Sequence, residues 1–268
     1  MSKVWAIANQ KGGVGKTTTT LALGAELALR GYKVLLMDLD AHASLTRAFG
    51  LPADPPPRGV LELFEDESVS LQSLIRPSEM PGLSYVAAQS GLATLERRSA
   101  TQPGLGRAVA TALAREGGNF DHILLDCSPT LGLLMVNALA AADHVVIPTQ
   151  TEPLALHGLQ GMWKTTQMIG RSRGRPLPVS ILPTMYDRRT RVGVETLATM
   201  QEQYGDDVWN EAIPNDTRMC SSEELIRQGS QRLQAGRALS AYRRALDWLV
   251  SEQLVEQPIE LLAEEALA

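Results

Sequence analysis

Eight residues, Lys11-Gly12-Gly13-Val14-Gly15-Lys16-Thr17-Thr18, stand between the apolar run Val4-Trp5-Ala6-Ile7-Ala8 and a stretch whose leucines recur at helical spacing. They follow the phosphate-loop pattern G-x-x-x-x-G-K-[ST], except that Lys11 holds the place of the first glycine. Such a loop needs a buried strand to enter it and a helix to leave it. Residues 4–8 read as that strand, and Lys16 to Arg30, with Leu21, Leu23, Leu27 and Leu29, as that helix. The pattern predicts backbone N–H groups of Gly12, Gly13, Val14, Gly15 and Thr18 turned around a phosphate. Lys16 would reach the β- and γ-phosphates, and the Thr17 hydroxyl would ligate Mg²⁺. A triphosphate there lies on a helix N-terminus, where free N–H groups favour anions.

The remaining chain alternates apolar runs with helical patterns, which predicts a single α/β domain: a mostly parallel twisted sheet with helices on both faces. Strands are expected at Val4–Ala8, Lys33–Met37, Leu83–Ala87, His122–Leu125, His144–Pro148 and Val179–Pro183. Helices are expected at Lys16–Arg30, Leu105–Arg115, Gly132–Ala141, Leu156–Ile169, Val192–Tyr204, Ser222–Gln228 and Ala235–Leu254. The proline-rich segment from Ala53 to Arg58 reads as a surface loop. The stretch to about Pro81 reads as an insertion with a short helix at Val60–Glu65. Ligands of such sheets bind at the carboxyl ends of strands, so Asp38, Asp40 and Asp126 all fall at the nucleotide edge. Asp126 ends the run Ile123-Leu124-Leu125, where the phosphate-loop template places a carboxylate that holds Mg²⁺ through water. Asp38 and Asp40, two residues apart, would share one side of a strand that persisted through both. One would join the metal's water shell and the other orient the attacking water, and the residues alone leave the assignment open.

The deviant loop resembles that of the ParA/MinD family of ATPases. The likeness continues through Asp38-Leu39-Asp40, His122 to Pro129, Ile147-Pro148 and Ile213-Pro214-Asn215, in order and across roughly residues 1–250, and it is nearest the short Soj-like ParA type. The resemblance implies ATP and Mg²⁺ as cofactors and an ATP-sandwich homodimer in which Lys11 touches the partner subunit's nucleotide. It also makes Asp40 the hydrolytic residue and Asp38 a supporting metal-site residue. The adenine would lie against Pro214 and Asn215, with Asn215 reading the purine edge. Arg189, in Asp187-Arg188-Arg189-Thr190, and Arg218 match places where Soj-type relatives carry a surface for non-specific DNA. The segment Asp126 to Gly132 resembles the second switch, in which Gly132 would let the loop move. The first switch departs from the family: Pro-Gln-Gly usually follows the second aspartate, and here Ala41-His42-Ala43-Ser44 does. His42 reads as an exposed loop histidine, and His122, His144 and His157 as structural.

Charge distribution bears on partners. The net charge is −5, yet Lys164 to Arg244 carry 13 Lys+Arg against 9 Asp+Glu, which favours phosphate contact by that segment. From Asp247 to Ala268 there are six acids and no Lys or Arg, so residues 251–268 read as an acidic tail beyond an ATPase domain of residues 1–250. A MinD-like basic membrane helix is absent from that stretch, and anionic lipid would repel it. No apolar run approaches the ~18 residues of a membrane span. Cys127 and Cys220 form no disulfide framework, and a cytoplasmic location is expected. The expected function is cargo segregation or positioning on DNA, nucleoid-associated when ATP is bound, with hydrolysis stimulated by a ParB-like or cargo-adaptor partner. The alternatives are an ATP-dependent protein-interaction switch without DNA binding and a MinD-like positioning ATPase at a membrane.

Overall fold

The structure is a computed structural model that describes residues 2–52, 54–98, 105–220, 225 and 236–255. Strand β1 (Lys3–Ile7) runs into the glycine-rich loop and then α1 (Lys16–Leu29), which crosses over to β2 (Val34–Leu39). The chain continues through α2 (Ser44–Ala48), α3 (Glu62–Glu65), β3 (Arg76–Pro77), β4 (Leu83–Val86), α4 (Gly91–Arg98) and α5 (Ala108–Glu116). Strand β5 (His122–Cys127), α6 (Leu133–Ala141), β6 (His144–Gln150), α7 (Pro153–Arg173), β7 (Val179–Thr184), α8 (Arg191–Tyr204) and α9 (Arg237–Val255) complete it. The seven strands lie in the order β3-β4-β2-β5-β1-β6-β7. All pairings are parallel except β3 with β4, where the two-residue edge strand ends in Pro77, a residue without a donor to offer.

Both faces of the sheet are buried, as parallel sheets require. Along β1 the alternation is direct: Val4 and Ala6 join the core under α5, α6 and α7, while Trp5 and Ile7 join the core under α1 and α9. The centre of the sheet is thus apolar on both sides, and polar groups collect at its two ends.

Three departures from the sequence reading have local causes. Strand β2 extends through Leu39, so Asp38 lies inside the strand and Asp40 just beyond it in a turn, where the alternation of strand sides no longer applies. Strand β5 likewise passes Asp126 and ends at Cys127. Helices α2 and α4 and strand β3 were not foreseen, because five, eight and two residues are too few for periodicity to stand out. The helix expected at Val60–Glu65 is confined to Glu62–Glu65. The one expected at Ser222–Gln228 lies outside the described residues, Leu225 apart, and residues 256–268 of the acidic tail do too.

Candidate functional site

The loop after β1 takes its shape from backbone conformations that only glycine adopts without strain. Gly13 has φ 74° and Gly15 φ 93°, and Gly15 serves as the N-cap of α1 without any side-chain cap. The loop is anchored to the body by residues that sequence reasoning passed over. Asn9, fully buried, donates from Nδ2 to the Pro148 carbonyl (2.8 Å) and accepts the Lys11 N–H at Oδ1 (2.9 Å). Gln10 Nε2 donates to Thr165 Oγ1 on α7 (3.1 Å). Both partners lie more than a hundred residues away, so no local pattern pointed to them.

Lys16 sits buried at the head of α1, where its Nζ donates to the Lys11 carbonyl (3.0 Å). Burial lowers its pKa and nearby Asp126 opposes that. Thr17 Oγ1 donates to Asp126 Oδ2 (2.7 Å), and Thr20 Oγ1 reaches Asp126 Oδ1 (3.3 Å). Asp126 is register partner to Asp38 on β2 and to Ile7 on β1, so two carboxylates lie on adjacent strands at one sheet edge. Burial, and then the charge of Asp38, push Asp126 well above the carboxylate range; burial likewise pushes Asp38 up, to about 6. Thr46 partly compensates: its N–H (2.8 Å) and Oγ1 (2.7 Å) both donate to Asp38 Oδ2, while its Oγ1 accepts the Ala88 N–H (2.8 Å). Two buried carboxylates beside a hydroxyl and an ammonium make a site whose electrostatics a divalent cation would improve. Among the described residues no cluster of three or more His, Cys, Asp or Glu could hold a metal alone. A magnesium ion takes one or two carboxylates and completes its shell with water and substrate phosphate, and Asp38 and Asp126 with the Thr17 hydroxyl are of the donor type it uses.

Asp40 follows the end of β2. Its Oδ1 accepts the His42 N–H and meets His42 Nδ1, both at 2.9 Å. Lys11 is folded back on its own subunit: Nζ donates to Gln150 Oε1 (3.2 Å) and lies 3.6 Å from Glu152. The segment Ile213 to Asp216, with Val14, Gly15 and Thr18, borders a cavity of about 130 Å³ beside the loop; Met185 and Met219, not foreseen, supply apolar walls. Asn215 lines it, and its N–H donates to the Tyr186 carbonyl (2.9 Å).

Gly132 has an extended backbone that any residue adopts, so freedom of φ is not what the position demands. A Cβ there would fall 2.5 Å from Glu96 Oε1, the far end of a flexible side chain that can swing aside, so close approach does not demand glycine here either. Cys127 is buried, and burial raises its thiol pKa, as for an inert core residue. Arg189 and Arg218 are exposed but engaged. Arg189 clasps Asp187 through Nε (2.9 Å) and Nη2 (2.7 Å), and Arg218 clasps Asp216 in the same way (2.9 and 2.8 Å). Among the described residues Arg188 makes no ion pair.

Comparison with known proteins gives the chain's relatives. A family model described as an AAA domain matches residues 2–177. The sporulation initiation inhibitor protein Soj of Bacillus subtilis is 36% identical over 222 residues, covering 82% of this chain and 87% of that protein. The chromosome-partitioning ATPase Soj of Thermus thermophilus is 37% identical over 242 residues, covering 89% of this chain and 92% of its own length. Among solved structures, a cobyrinic acid a,c-diamide synthase from Mycobacterium smegmatis with bound ADP and magnesium is 32% identical, with a TM-score of 0.75 over 89% of this chain and 98% of that one.

Proposed function

This chain belongs to the ParA/MinD family of deviant Walker A ATPases, on its Soj-like side, and we propose that it is a partitioning or positioning ATPase that dimerises on ATP, binds non-specific DNA in that state and is reset by hydrolysis. The observation that carries the reading is the convergence of Lys16, Thr17, Asp126 and Asp38 at the mouth of the glycine-rich loop. ATP would lie along Gly12 to Thr18 with its base against Pro214 and Asn215. Bound Mg²⁺ would supply charge neutralisation between the phosphates, held by Thr17 directly and by Asp126 and Asp38 through water. Asp40 orients the attacking water. Lys16 holds the phosphates in the ground state and in the transition state alike. Lys11 exchanges Gln150 and Glu152 for the nucleotide of a second copy, which makes dimerisation depend on ATP.

Residues 1–250 act as the ATPase domain, with 251–268 as an acidic tail. The protein works in the cytoplasm, on the nucleoid when ATP-bound, with a ParB-like or cargo-adaptor protein stimulating turnover. No helix among the described residues is long and apolar enough to cross a membrane. A second reading, an ATP-dependent protein-interaction switch without DNA affinity, draws on the pairing of Arg189 and Arg218 with neighbouring aspartates.

One experiment separates the two. Asp40→Ala protein with ATP and Mg²⁺ is expected to accumulate as a dimer by light scattering, with hydrolysis down at least about tenfold. Fluorescence anisotropy of that dimer on two unrelated duplexes across a salt series should show equal affinities that weaken with salt. Adding Arg189→Ala should flatten the salt slope by about 1–2 units, since each phosphate contact contributes about −0.9 and a dimer loses two. A dimer without salt-dependent DNA binding would favour the protein-contact switch.

A further inference from the structure

The segment from Asp40 to Thr46 is clamped at both ends onto carboxylates of the β2 edge. At one end Thr46, buried, gives two donors to Asp38. At the other end Asp40 Oδ1 receives two nitrogens from a single residue, the His42 N–H and His42 Nδ1. The clamps differ in exposure: the His42 side chain is 78% exposed against 14% for Asp40, and among the described residues no other hydrogen bond or ion pair holds the imidazole. Between them Ala43 takes φ 53° and ψ 40°, a left-handed conformation strained for any residue with a Cβ, immediately before α2. A carboxylate oxygen only accepts, so Nδ1 carries the hydrogen in this contact. With Oδ1 tied twice, the other oxygen of Asp40 remains to accept from a water.

We propose that His42 is the positioning residue for Asp40, its Nδ1–H fixing the carboxylate so that one oxygen is held and the other is presented to the attacking water. The proposal rests on Asp40 being the residue that orients that water. It predicts an effect on the chemical step and none on nucleotide capture.

The test is steady-state ATP hydrolysis by full-length protein with Mg²⁺, comparing wild type, His42→Ala, His42→Leu and His42→Asn, with Asp40→Ala alongside and thermal midpoints as the folding control. The ring is exposed, so all His42 variants should melt like wild type. His42→Ala and His42→Leu should lower kcat about three- to tenfold, the range one ordinary hydrogen bond accounts for, with KM for ATP within about twofold. His42→Asn places a nitrogen donor where Nδ1 stood and should return kcat to within about twofold of wild type. A His42→Ala enzyme as fast as or faster than wild type would overturn the proposal, and so would an Asn variant as slow as the Ala variant. If Asp40→Ala is slow and His42→Ala normal, the role of His42 alone is wrong. Normal turnover by Asp40→Ala would instead remove the reading of Asp40 and the proposal with it.

Discussion

The central strands bury titratable side chains at both of their ends: histidines where they begin, carboxylates where they finish. His122 opens β5 and His144 opens β6. Their rings pack against Trp5 with centroids 5.3 and 6.4 Å away, Tyr32 meets His122 at 5.1 Å, and His144 Nε2 lies 2.8 Å from Ser180 Oγ. Burial lowers both imidazole pKa values to about 4, so the rings are neutral near pH 7 and behave as core. At the opposite end Asp38 and Asp126 are buried beside each other, and each is pushed up by desolvation and by like charge nearby. One end resolves its polar groups by keeping them uncharged. The other end gathers two carboxyls whose ionised forms burial and like charge disfavour, an arrangement characteristic of functional sites.

The contrast can be broken at either end. The largest effect is expected from Lys16→Ala, which removes a buried cation beside these carboxylates. ATP affinity should fall roughly 100-fold, or about 2.7 kcal/mol, by isothermal titration with Mg²⁺. A change within about threefold would mean that the backbone loop binds the triphosphate unaided.

The strand beginnings come next. His144 is lowered in the folded state relative to an ordinary value near 6.5, so the unfolded chain binds the proton first. Its contribution to stability is intact above pH 6.5 and is lost as pH falls from there towards 4, amounting to about 2 kcal/mol between pH 7 and pH 5. Asp38 and Asp126, raised in the folded state, act with the opposite sign and relieve part of this on acidification. The readout is therefore the difference between wild type and His144→Gln in urea unfolding at the two pH values. Equal slopes would show that His144 is not held neutral.

The smallest effect concerns the carboxylate pair. Asp126→Asn removes one of two adjacent buried like charges, so ligand-free protein should gain about 1 kcal/mol of stability while losing the further rise in melting temperature that ATP with Mg²⁺ gives to wild type. A variant destabilised without ligand would place Asp126 with the structural groups instead.

Much of the fold was legible because its signals are local. Val4 to Ala8, Ile123 to Leu125 and Val145 to Ile147 are apolar runs of strand length, and each is followed within a few residues by a helical repeat. What remained hidden was short or relational. Five residues of α2 carry no readable period, yet that helix brings Thr46 onto Asp38. Strand β2 runs through Asp38 and stops before Asp40, so the condition for a shared side, a strand that persists through both, is not met. The excess of Lys and Arg from Lys164 to Arg244 suggested phosphate contact, and the folded turns return Arg189 to Asp187 and Arg218 to Asp216, two residues before each.

By itself the sequence determined that a glycine-rich loop joins a buried strand to a helix, and that Asp38, Asp40 and Asp126 arrive at the same edge. Backbone freedom at Gly13 and Gly15 and the burial demanded by apolar runs are properties of neighbouring residues. Only the tertiary structure decided which groups meet across the chain: Asn9 with Pro148, Thr17 with Asp126, Thr46 with Ala88, Lys11 with Gln150 and Glu152. Those contacts span from about forty to about a hundred and forty residues of sequence. They arise because strands distant in the chain are neighbours in the sheet, a juxtaposition set by the hydrophobic layers above and below it and written in no local pattern.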